Sequence, residues 1–345
     1  MGINAAGISS KLNSFKNVLR QLKPAVFFVE ETKLRRPGKL EMNNYQVYEL
    51  NRKDKNGGGI AIGVLEQLKP VWISEGDDAI EVLTIEANLN GLKTRCVGAY
   101  GPQEYDKLEM KQAFWNKLSI EVEDASKNEA GLILQMDGNL WGGSEIIKND
   151  PNPCNENGKL FKKFLNKHSH LKVVNSMDLC EGLITRKRTT KNRTEMSVLD
   201  YFVVCEQILP FVNRMVVDEG KQYALSNYFY SNGTSHKKDS DHNTLILYLN
   251  IQLPIFRSER QEMFNFKNEE CQKTFFELTN NTSVLSQCFE MSENVKNQSK
   301  KCFKQLNSFF QPGWDIHREP GNQVPTKSSD SHKFFAAFHA VLAQI

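Results

Sequence analysis

The sequence predicts an α/β (α+β) fold in which two packed, mixed β-sheets are flanked by helices. Many short segments are rich in β-branched and aromatic residues, and few of them are separated by helical patterns. Turn signals such as NLNG also join neighbouring segments directly. A doubly wound parallel sheet would alternate each strand with a helix, so this pattern disfavours it.

The first helix is predicted in SSKLNSFKNVLRQLKP. Ser9 or Ser10 is the expected N-cap, and Pro24 is expected to end the helix. The residues that would share its apolar face are Leu12, Phe15, Val18, Leu19 and Leu22.

Later elements follow from the same patterns. Strands are predicted in AVFFVEE, YQVYEL, GGGIAIGVL, AIEVLTIEANL, LKTRCVGAY, GLILQMD, LKVVNSM, SVLDYFVV and HNTLILYLNIQL. NRKDKNG is the expected turn between YQVYEL and GGGIAIGVL. Two more helices are predicted, at residues 107–126 and in NGKLFKKFLNKHSH.

The composition changes after Pro254, which predicts two parts. Residues 1–253 are expected to form one folded domain. Residues 254–345 are helical in spacing, rich in Asn, Lys and Gln, and interrupted by the stretch QPGWDIHREPGNQVPTKSSDSHK. We expect them to form a helical, partly flexible connector.

Charge and cysteine usage limit the functional classes. The net charge is only +3, so any nucleic-acid affinity must come from local patches. The seven cysteines show no CxxC spacing, which favours reduced thiols and an intracellular, nuclear or cytoplasmic location. No run of about eighteen apolar residues occurs, so we expect no membrane association.

Polar residues gather at the predicted strand ends. Such ends can meet at one edge of a sheet, where clustered acids repel one another unless a hard cation lies between them. Mg²⁺ prefers carboxylate and water oxygens. The residues concerned are Asn4, Glu31, Tyr100, Asp137, Asn139, Asp200, Asp241 and His242.

Each of these residues also has a purely structural interpretation. A glutamate after a strand is typical of a solvated turn, SDH is a common tripeptide, and the acid of MDGN fits an Asx-turn. Asp200 lies between Leu199 and Tyr201 and needs a partner, for which His242 is suitable. The joint occurrence of these residues in one order favours a site.

That order resembles the endonuclease/exonuclease/phosphatase superfamily, the DNase I-like proteins. The similar segments are GINAAGISSKL, VEETKL, AYGP, LQMDGN, SVLDYFVV and SDHNTLI, within residues 1–253. GGGIAIGV, LITRKR and LDYFVV are similar to segments of LINE-type retrotransposon endonucleases, and FNFKNEECQKTFFELT is similar to the connector that follows them. The resemblance implies a four-layer α/β/β/α sandwich, and it makes a reverse transcriptase domain missing from this chain an expected partner.

The resemblance implies metal and water roles for five residues. Glu31 would be the main Mg²⁺ ligand, with Asn4 and Asp241 near the metal, and Mn²⁺ is an alternative ion. Asp137 would orient or deprotonate the attacking water. Asn139 would hold that water and the phosphate.

Three further residues would act on the phosphate, again by resemblance. Tyr100 would donate a hydrogen bond to it. His242 would stabilise charge on the phosphorane oxygens, with its ring aligned by Asp200. A cation and donors aimed at developing charge suit phosphodiester hydrolysis.

The sequence departs from the family pattern at three places. Only Met1, Gly2 and Ile3 precede Asn4, so the first strand is expected to be truncated. MDGN stands where the family has GDFN or GDLN, and Gln103 stands where an Asn often follows the YxP motif. None of these changes removes a metal or proton-transfer group.

TRKRTTKNR at residues 185–193 is a candidate DNA-binding loop. It is either a solvated hairpin loop or a loop that grips phosphates, and its place beside SVLDYFVV favours the second. Trp141 either packs in the core or stacks on a nucleotide, and we favour the rim of the site. Lys237 and Lys238 would add charge. The basic residues of the loop are Arg186, Lys187, Arg188, Lys191 and Arg193.

We therefore expect a monomeric, Mg²⁺-dependent DNA endonuclease, the target-nicking nuclease of a LINE-type retrotransposon or a fragment of it. Alternatives are an abasic-site repair endonuclease or 3′ exonuclease, a lipid or inositol phosphatase, and an inactive nucleic-acid-binding remnant. The basic loop disfavours the phosphatase. The intact polar residues disfavour the remnant.

Overall fold

The computed structural model describes residues 1–35, 40–52, 57–77, 79–190, 193–231 and 234–252. The predicted connector at 254–345 and Lys191 lie outside these residues.

Three α-helices and seventeen strands make up this part of the chain. The helices are α1 (Leu12–Leu22), α2 (Leu108–Lys127) and α3 (Glu156–Lys167). The strands are β1 (Gly2–Asn4), β2 (Val26–Glu30), β3 (Tyr45–Leu50), β4 (Ile60–Leu65), β5 (Val71–Glu75), β6 (Glu81–Leu89), β7 (Leu92–Tyr100), β8 (Gly131–Asp137), β9 (Leu171–Val173), β10 (Cys180–Glu181), β11 (Arg186–Thr189), β12 (Thr194–Ser197), β13 (Asp200–Cys205), β14 (Val212–Val217), β15 (Ser226–Ser231), β16 (Thr234–Asp239) and β17 (Leu245–Leu249).

Two mixed sheets form the body of the fold, as the sequence predicted. One has seven strands in the order β10-β14-β17-β1-β2-β4-β3, and the other has six in the order β5-β6-β7-β8-β13-β9. β1 pairs with β2 and β7 with β8 in parallel, while most other neighbours are antiparallel. β11 with β12, and β15 with β16, form separate hairpins.

Aromatic contacts define the layers. Phe28 and Phe202 meet between the sheets, with ring centroids 6.1 Å apart. Phe15 of α1 packs edge-on against Phe27 of β2 at 5.2 Å. Under the other two helices, Trp115 of α2 stacks on Phe161 of α3, and the Phe161 ring contacts that of Tyr201 in β13. Since each sheet is covered by helix on its outer face, the predicted four-layer sandwich is confirmed.

The first helix has the predicted buried face but not the predicted N-cap. Its N-terminus continues from a 3₁₀ turn at Ser9–Lys11, and no side chain caps it. At the other end Lys23 turns left-handed, with φ of 45°, and its N–H donates to the Leu19 carbonyl. The helix therefore ends at Leu22, with Lys23 as its C-cap, one residue before Pro24.

Local turn chemistry sets the hairpin between β6 and β7. Asn90 and Gly91 have φ values of 54° and 88°, a conformation that Asn and Gly adopt at low cost. The Asn88 side chain accepts a hydrogen bond from the Gly91 N–H. The hairpin predicted from NLNG is confirmed.

β1 is only three residues long, yet it lies in the middle of the seven-stranded sheet. It pairs with β17 on one side and with β2 on the other, and Asn4 stands opposite Glu30. Even this short strand therefore places Asn4 level with the end of β2. No helix in the described ranges combines the length and hydrophobicity needed to cross a bilayer.

Candidate active site

Strand pairing brings three predicted residues of the six-stranded sheet to one edge. β7 and β8 run in parallel, with Tyr100 opposite Asp137. β13 runs antiparallel to β8, so its first residue, Asp200, also stands opposite Asp137. The sequence predicted Asp200 inside a strand, but β13 begins there, so Asp200 lies at the end of its strand, where it is still buried.

Gly101 allows the ends of β7 and β8 to approach closely. A Cβ atom on Gly101 would lie 2.3 Å from the carbonyl oxygen of Gly138. The Gly101 N–H donates to the Asp137 carbonyl at 2.7 Å. The glycine of AYGP therefore has a specific role, because any side chain at Gly101 would push Tyr100 and Asp137 apart.

His242 and Asp200 form a buried pair. The His242 Nδ1 atom lies 3.0 and 3.1 Å from the two carboxylate oxygens of Asp200. Its Nε2 lies 4.0 Å from Asp137 Oδ2. Burial opposes the imidazolium, but the carboxylates of Asp200, Asp137 and Asp241 outweigh it and raise the pKa of His242 to about 9. The ring is therefore cationic at neutral pH, with Nε2–H directed away from Asp200.

Asp137 is held at both oxygens. Asn4 Nδ2 donates to Oδ2 at 2.7 Å, and the Asn139 N–H donates to Oδ1 at 3.0 Å. Burial, followed by the charge of Asp200, raises the pKa of Asp137 to about 7. Asn139 itself has φ of 44°, which an Asn tolerates, and its amide donates to the Gly101 carbonyl.

Glu31 lies just beyond β2 and faces Tyr100. The Tyr100 hydroxyl donates to Glu31 Oε1 at 2.5 Å, and Lys33 Nζ lies 2.9 Å from Oε2. Burial opposes ionisation, but these two contacts lower the pKa of Glu31 below its usual value. The Gln103 amide in turn donates to the Tyr100 hydroxyl at 2.9 Å. Glu31 is therefore an ionised carboxylate, beside the Tyr100 hydroxyl, whose oxygens are suitable metal ligands.

The neighbouring Glu30 differs sharply from Glu31. Its side chain points into the sandwich, fully buried, and neither carboxylate oxygen has a hydrogen-bond partner within the described residues. Burial, together with the charges of Asp200 and Asp137, raises its pKa well above the usual range. The alternation of side chains at the end of β2 thus places two adjacent carboxyl groups in surroundings that shift their pKa values in opposite directions.

Asp241 and His242 belong to a loop rather than to a strand, because β17 starts only at Leu245. Both neighbouring hairpins hold this loop. The Lys187 N–H donates to the Asp241 carbonyl at 2.8 Å. The Ser240 N–H donates to the Leu225 carbonyl, also at 2.8 Å. The prediction that these residues open the last strand was therefore wrong, although they lie at the predicted edge.

The residues expected to hold a metal have different surroundings. Glu31 is an ionised carboxylate at the mouth of the site, which suits a hard cation. Asp241 Oδ2 already pairs with Arg186 Nε at 3.0 Å. Both ends of the Asn4 amide are used, by Asp137 and by the Ala6 N–H. Glu31 is the best fit, while Asn4 orients Asp137.

A second group of ligand atoms is deeper. Single ligand atoms of Asp137, Asp200 and His242 all lie within 4.8 Å of one another, and all three residues are buried. This group could bind a metal ion. Its His242 Nδ1 atom, however, is already bonded to Asp200.

Sequence reasoning missed several residues that fix the site. The Thr185 hydroxyl accepts from the N–H groups of Leu199 and Asp200. The Asn175 amide donates to the Asp200 carbonyl at 3.0 Å. Lys221 Nζ donates to the carbonyls of Ser240 and His242 at 2.7 and 2.9 Å. These contacts span 14 to 25 residues, and no local motif marks them.

The predicted DNA-binding residues mostly lie on one hairpin, β11–β12. Its first residue, Arg186, forms an isolated β-bridge with His242, so the hairpin starts at the site. Lys187 and Arg188 are exposed, whereas Arg193 pairs with Glu195 at 2.7 Å. Trp141 is half-buried and follows Asn139 in the chain by two residues. Its backbone N–H donates to the Asn155 side-chain oxygen, and its carbonyl accepts from the Asn155 N–H.

Solved structures with the same architecture were found by comparison of the coordinates. The endonuclease domain of TRAS1, a telomere-specific non-LTR retrotransposon, matches with a TM-score of 0.51 and 14% identity over 73% of this chain and 98% of that one. AP endonuclease LMAP from Leishmania major matches with 0.54 and 16%, over 73% and 87%. The 3′ phosphatase NExo from Neisseria, bound to a product DNA hairpin, matches with 0.54 and 16%, over 73% and 98%.

The chain has a DNase I-like fold. No protein-family model and no curated protein matches the sequence. At these identities the likeness concerns the fold alone. Function must therefore be argued from the residues that this DNase I-like chain places at its strand ends.

Proposed function

We propose that this chain is a metal-dependent DNA endonuclease that hydrolyses phosphodiester bonds by the reaction typical of its fold. One observation carries the proposal. Side chains from distant parts of the sequence meet at a single edge of the sandwich: Glu31, Tyr100, Asp137, Asn139, Asp200 and His242.

The cationic and hydroxyl groups suit the charge that this reaction develops. Attack on a phosphodiester places negative charge on the nonbridging and leaving oxygens. The His242 imidazolium, held by Asp200, presents Nε2–H to that charge. The Tyr100 hydroxyl donates its single proton to Glu31 and accepts from Gln103, so it would serve the phosphate once a bound cation takes over the Glu31 carboxylate.

Asp137 suits the task of accepting a proton from the attacking water. A general base works best when its pKa is near the working pH, and the pKa of Asp137 is about 7. Asn4 and the Asn139 N–H fix its two oxygens. The carboxylate therefore acts from one orientation.

We assign the metal position to Glu31, with Asp241 and Asn4 at its border. Mg²⁺ is the proposed ion because the donors are hard oxygens, and Mn²⁺ is the alternative. When bound, the ion would neutralise charge on the phosphate and its leaving oxygen. Within the chain, Lys33 and Tyr100 hold Glu31 in place for it.

Nicking of supercoiled plasmid tests the proposal. We expect open-circular product with Mg²⁺ and none with EDTA. Glu31→Gln and His242→Ala should both be inactive while remaining folded. If either variant nicks as fast as the parent, the site assignment fails. If the parent does not nick but binds DNA, the nucleic-acid-binding remnant is the better description.

Cleavage at abasic sites is the second candidate function. Its support is the likeness to an AP endonuclease and to a 3′ phosphatase. A duplex that carries one abasic site is compared with the intact duplex of the same sequence. The likeness to the TRAS1 domain supports the other candidate, a retrotransposon target nuclease. If only the abasic duplex is cut, the repair function is the better proposal.

The cellular setting is proposed on the same grounds. Four cysteines in the described ranges are free, two of them buried, which suits an intracellular, nuclear or cytoplasmic protein. We propose DNA as the partner and the exposed Lys187 and Arg188 of β11 as phosphate contacts. We also propose that the chain works as a monomer and that a reverse transcriptase domain is its functional partner.

A further inference from the structure

A recess of about 420 Å³ opens directly beside the candidate active site. Tyr100 and Glu31 form part of its wall, so it is continuous with the proposed cleavage centre. Four other residues give it its chemical character: Arg52, Glu81, Gln103 and Tyr105.

The floor of the recess is a buried ion pair. Glu81 is only 1% exposed, and its carboxylate accepts hydrogen bonds from Arg52 and from the Gly59 N–H. The Arg52 guanidinium is therefore fixed in place, with about a quarter of its side chain left accessible. An immobilised, planar cation of this kind favours planar or anionic ligands.

Glycine keeps the recess open on this side. Gly58 has φ of 63°, and a Cβ atom there would lie 2.4 Å from Arg52 Nε and 2.5 Å from Glu81. A side chain at this position would therefore displace the ion pair. The backbone can instead run close beside the guanidinium.

The rim carries an aromatic ring that the fold does not bury. Tyr105 is 86% exposed, the highest value among the exposed large hydrophobic side chains of the described residues. Its turn is ordered nonetheless, because Asp106 Oδ2 accepts from the Gln103 N–H at 2.7 Å and the Asp106 N–H donates to the Gln103 carbonyl. Since Gln103 also bonds Tyr100, the turn that carries Tyr105 is anchored to the cleavage centre.

We propose that this recess binds one nucleobase of the substrate strand, in the nucleotide next to the phosphate that is cleaved. The base stacks on Tyr105, and the Arg52 guanidinium faces it from the floor. Lys33 also lines the recess, where it pairs with Glu31 and leaves 42% of its side chain exposed. The recess combines a volume of about 420 Å³ with the exposed Tyr105 ring and the fixed Arg52 guanidinium. This combination fits a nucleotide better than a metal ion or an apolar ligand.

This inference rests on the proposed nuclease function, and its test separates the two. Binding is measured first, in EDTA, with single-stranded oligonucleotides that carry the fluorescent base 2-aminopurine at one position. Parent protein, Tyr105→Ala and Tyr105→Phe are compared. Trp72→Ala is the matched control, since Trp72 is also an exposed aromatic residue but lies on β5, outside the recess.

We expect Tyr105→Ala to weaken binding on the order of tenfold and to abolish the fluorescence quenching seen with the parent. Tyr105→Phe and Trp72→Ala should bind like the parent. If Tyr105→Ala binds and quenches like the parent, the base-binding recess is wrong, whether or not the protein cleaves DNA.

Cleavage gives the second readout. A series of substrates replaces one base at a time, around the cut, by an abasic spacer. For the parent, KM should rise only for the substrate whose spacer replaces the base that the recess binds. For Tyr105→Ala, KM should already be raised to that value for every substrate. Equal spacer profiles for both proteins would overturn the inference, while absence of cleavage by the parent would overturn the nuclease proposal alone.

Discussion

Two buried histidines lie in contrasting regions of the molecule. His242 is 6% exposed and His168 is 5% exposed, so burial does not distinguish them. His242 is surrounded by carboxylates, which raise its pKa to about 9. His168 follows α3, with its ring 5.0 Å from that of Phe164, and burial together with Lys167 lowers its pKa.

The difference shows that partners, not burial, make a reactive group. Around His242 the fold keeps charges together at a cost in stability. Around His168 it stacks aromatic rings that stabilise the helical layer. Changes in the first region should therefore affect the reaction, and changes in the second should affect folding.

The largest expected effect is that of His242→Ala. In the proposed mechanism the imidazolium is the main charge-stabilising donor, so its loss should lower the nicking rate about 10³-fold. The control is His168→Ala, which should leave the rate per folded molecule unchanged. Initial nicking rates, corrected by circular dichroism for the folded fraction, make the comparison. A rate loss of similar size in both variants would remove the contrast.

Phe161→Ala tests the other region. Phe161 is fully buried and its ring lies 5.3 Å from those of Trp115 and Tyr201. The cavity should lower the free energy of unfolding by about 3–5 kcal/mol. Urea denaturation measures the loss, and the nicking rate of the folded fraction should stay at the parent value. A stability change below about 1 kcal/mol would contradict the packing described here.

The pH dependence of stability sharpens the view of the charged region. In EDTA, the pKa values of Asp137 and His242 are both raised in the folded protein, so protonation of either group stabilises the native state. The contribution of Asp137 is complete below its unfolded pKa of 3.8 and is lost as pH rises through about 7. That of His242 is complete below 6.5 and is lost through about 9. Stability should therefore fall as pH rises from 4 to 9.

Asp137→Asn should remove the first part of this decline. At pH 5 the variant resembles the protonated parent, and at pH 8 it should be the more stable of the two. The difference between the two pH values should be on the order of 2 kcal/mol. Urea unfolding at both pH values measures it. Parallel stability curves for parent and variant would show that Asp137 titrates normally.

The smallest expected effect belongs to the surface. Arg188→Gln removes one exposed charge of the β11–β12 hairpin, so the slope of log affinity against log salt should fall by about 1. Arg20→Gln on α1 is the control, because Arg20 is also exposed but lies on a different element from the hairpin. DNA binding at several salt concentrations provides the slopes. An equal change for both variants would mean that bulk charge, not the hairpin, binds DNA.

Local features of the fold were predictable from the sequence. The Asn90–Gly91 turn, the buried face of α1 and the two mixed sheets follow from short-range patterns. The N-cap of α1 and the exact start of β13 were predicted wrongly. The ends of helices and strands depend on tertiary contacts, such as the hydrogen bond that the Asp200 N–H donates to the Thr185 hydroxyl.

The sequence by itself determined which chemical groups this protein has and the order in which they follow its strands. The pairing of the strands decided which groups touch: Asp137 with Asp200 across β8 and β13, His242 with Asp200, and Glu31 with Tyr100. The same packing raised the pKa of Glu30 and lowered that of Glu31, although the two are adjacent and chemically identical. The physical reason is that a pKa depends on desolvation and neighbouring charge, and only the folded chain sets both.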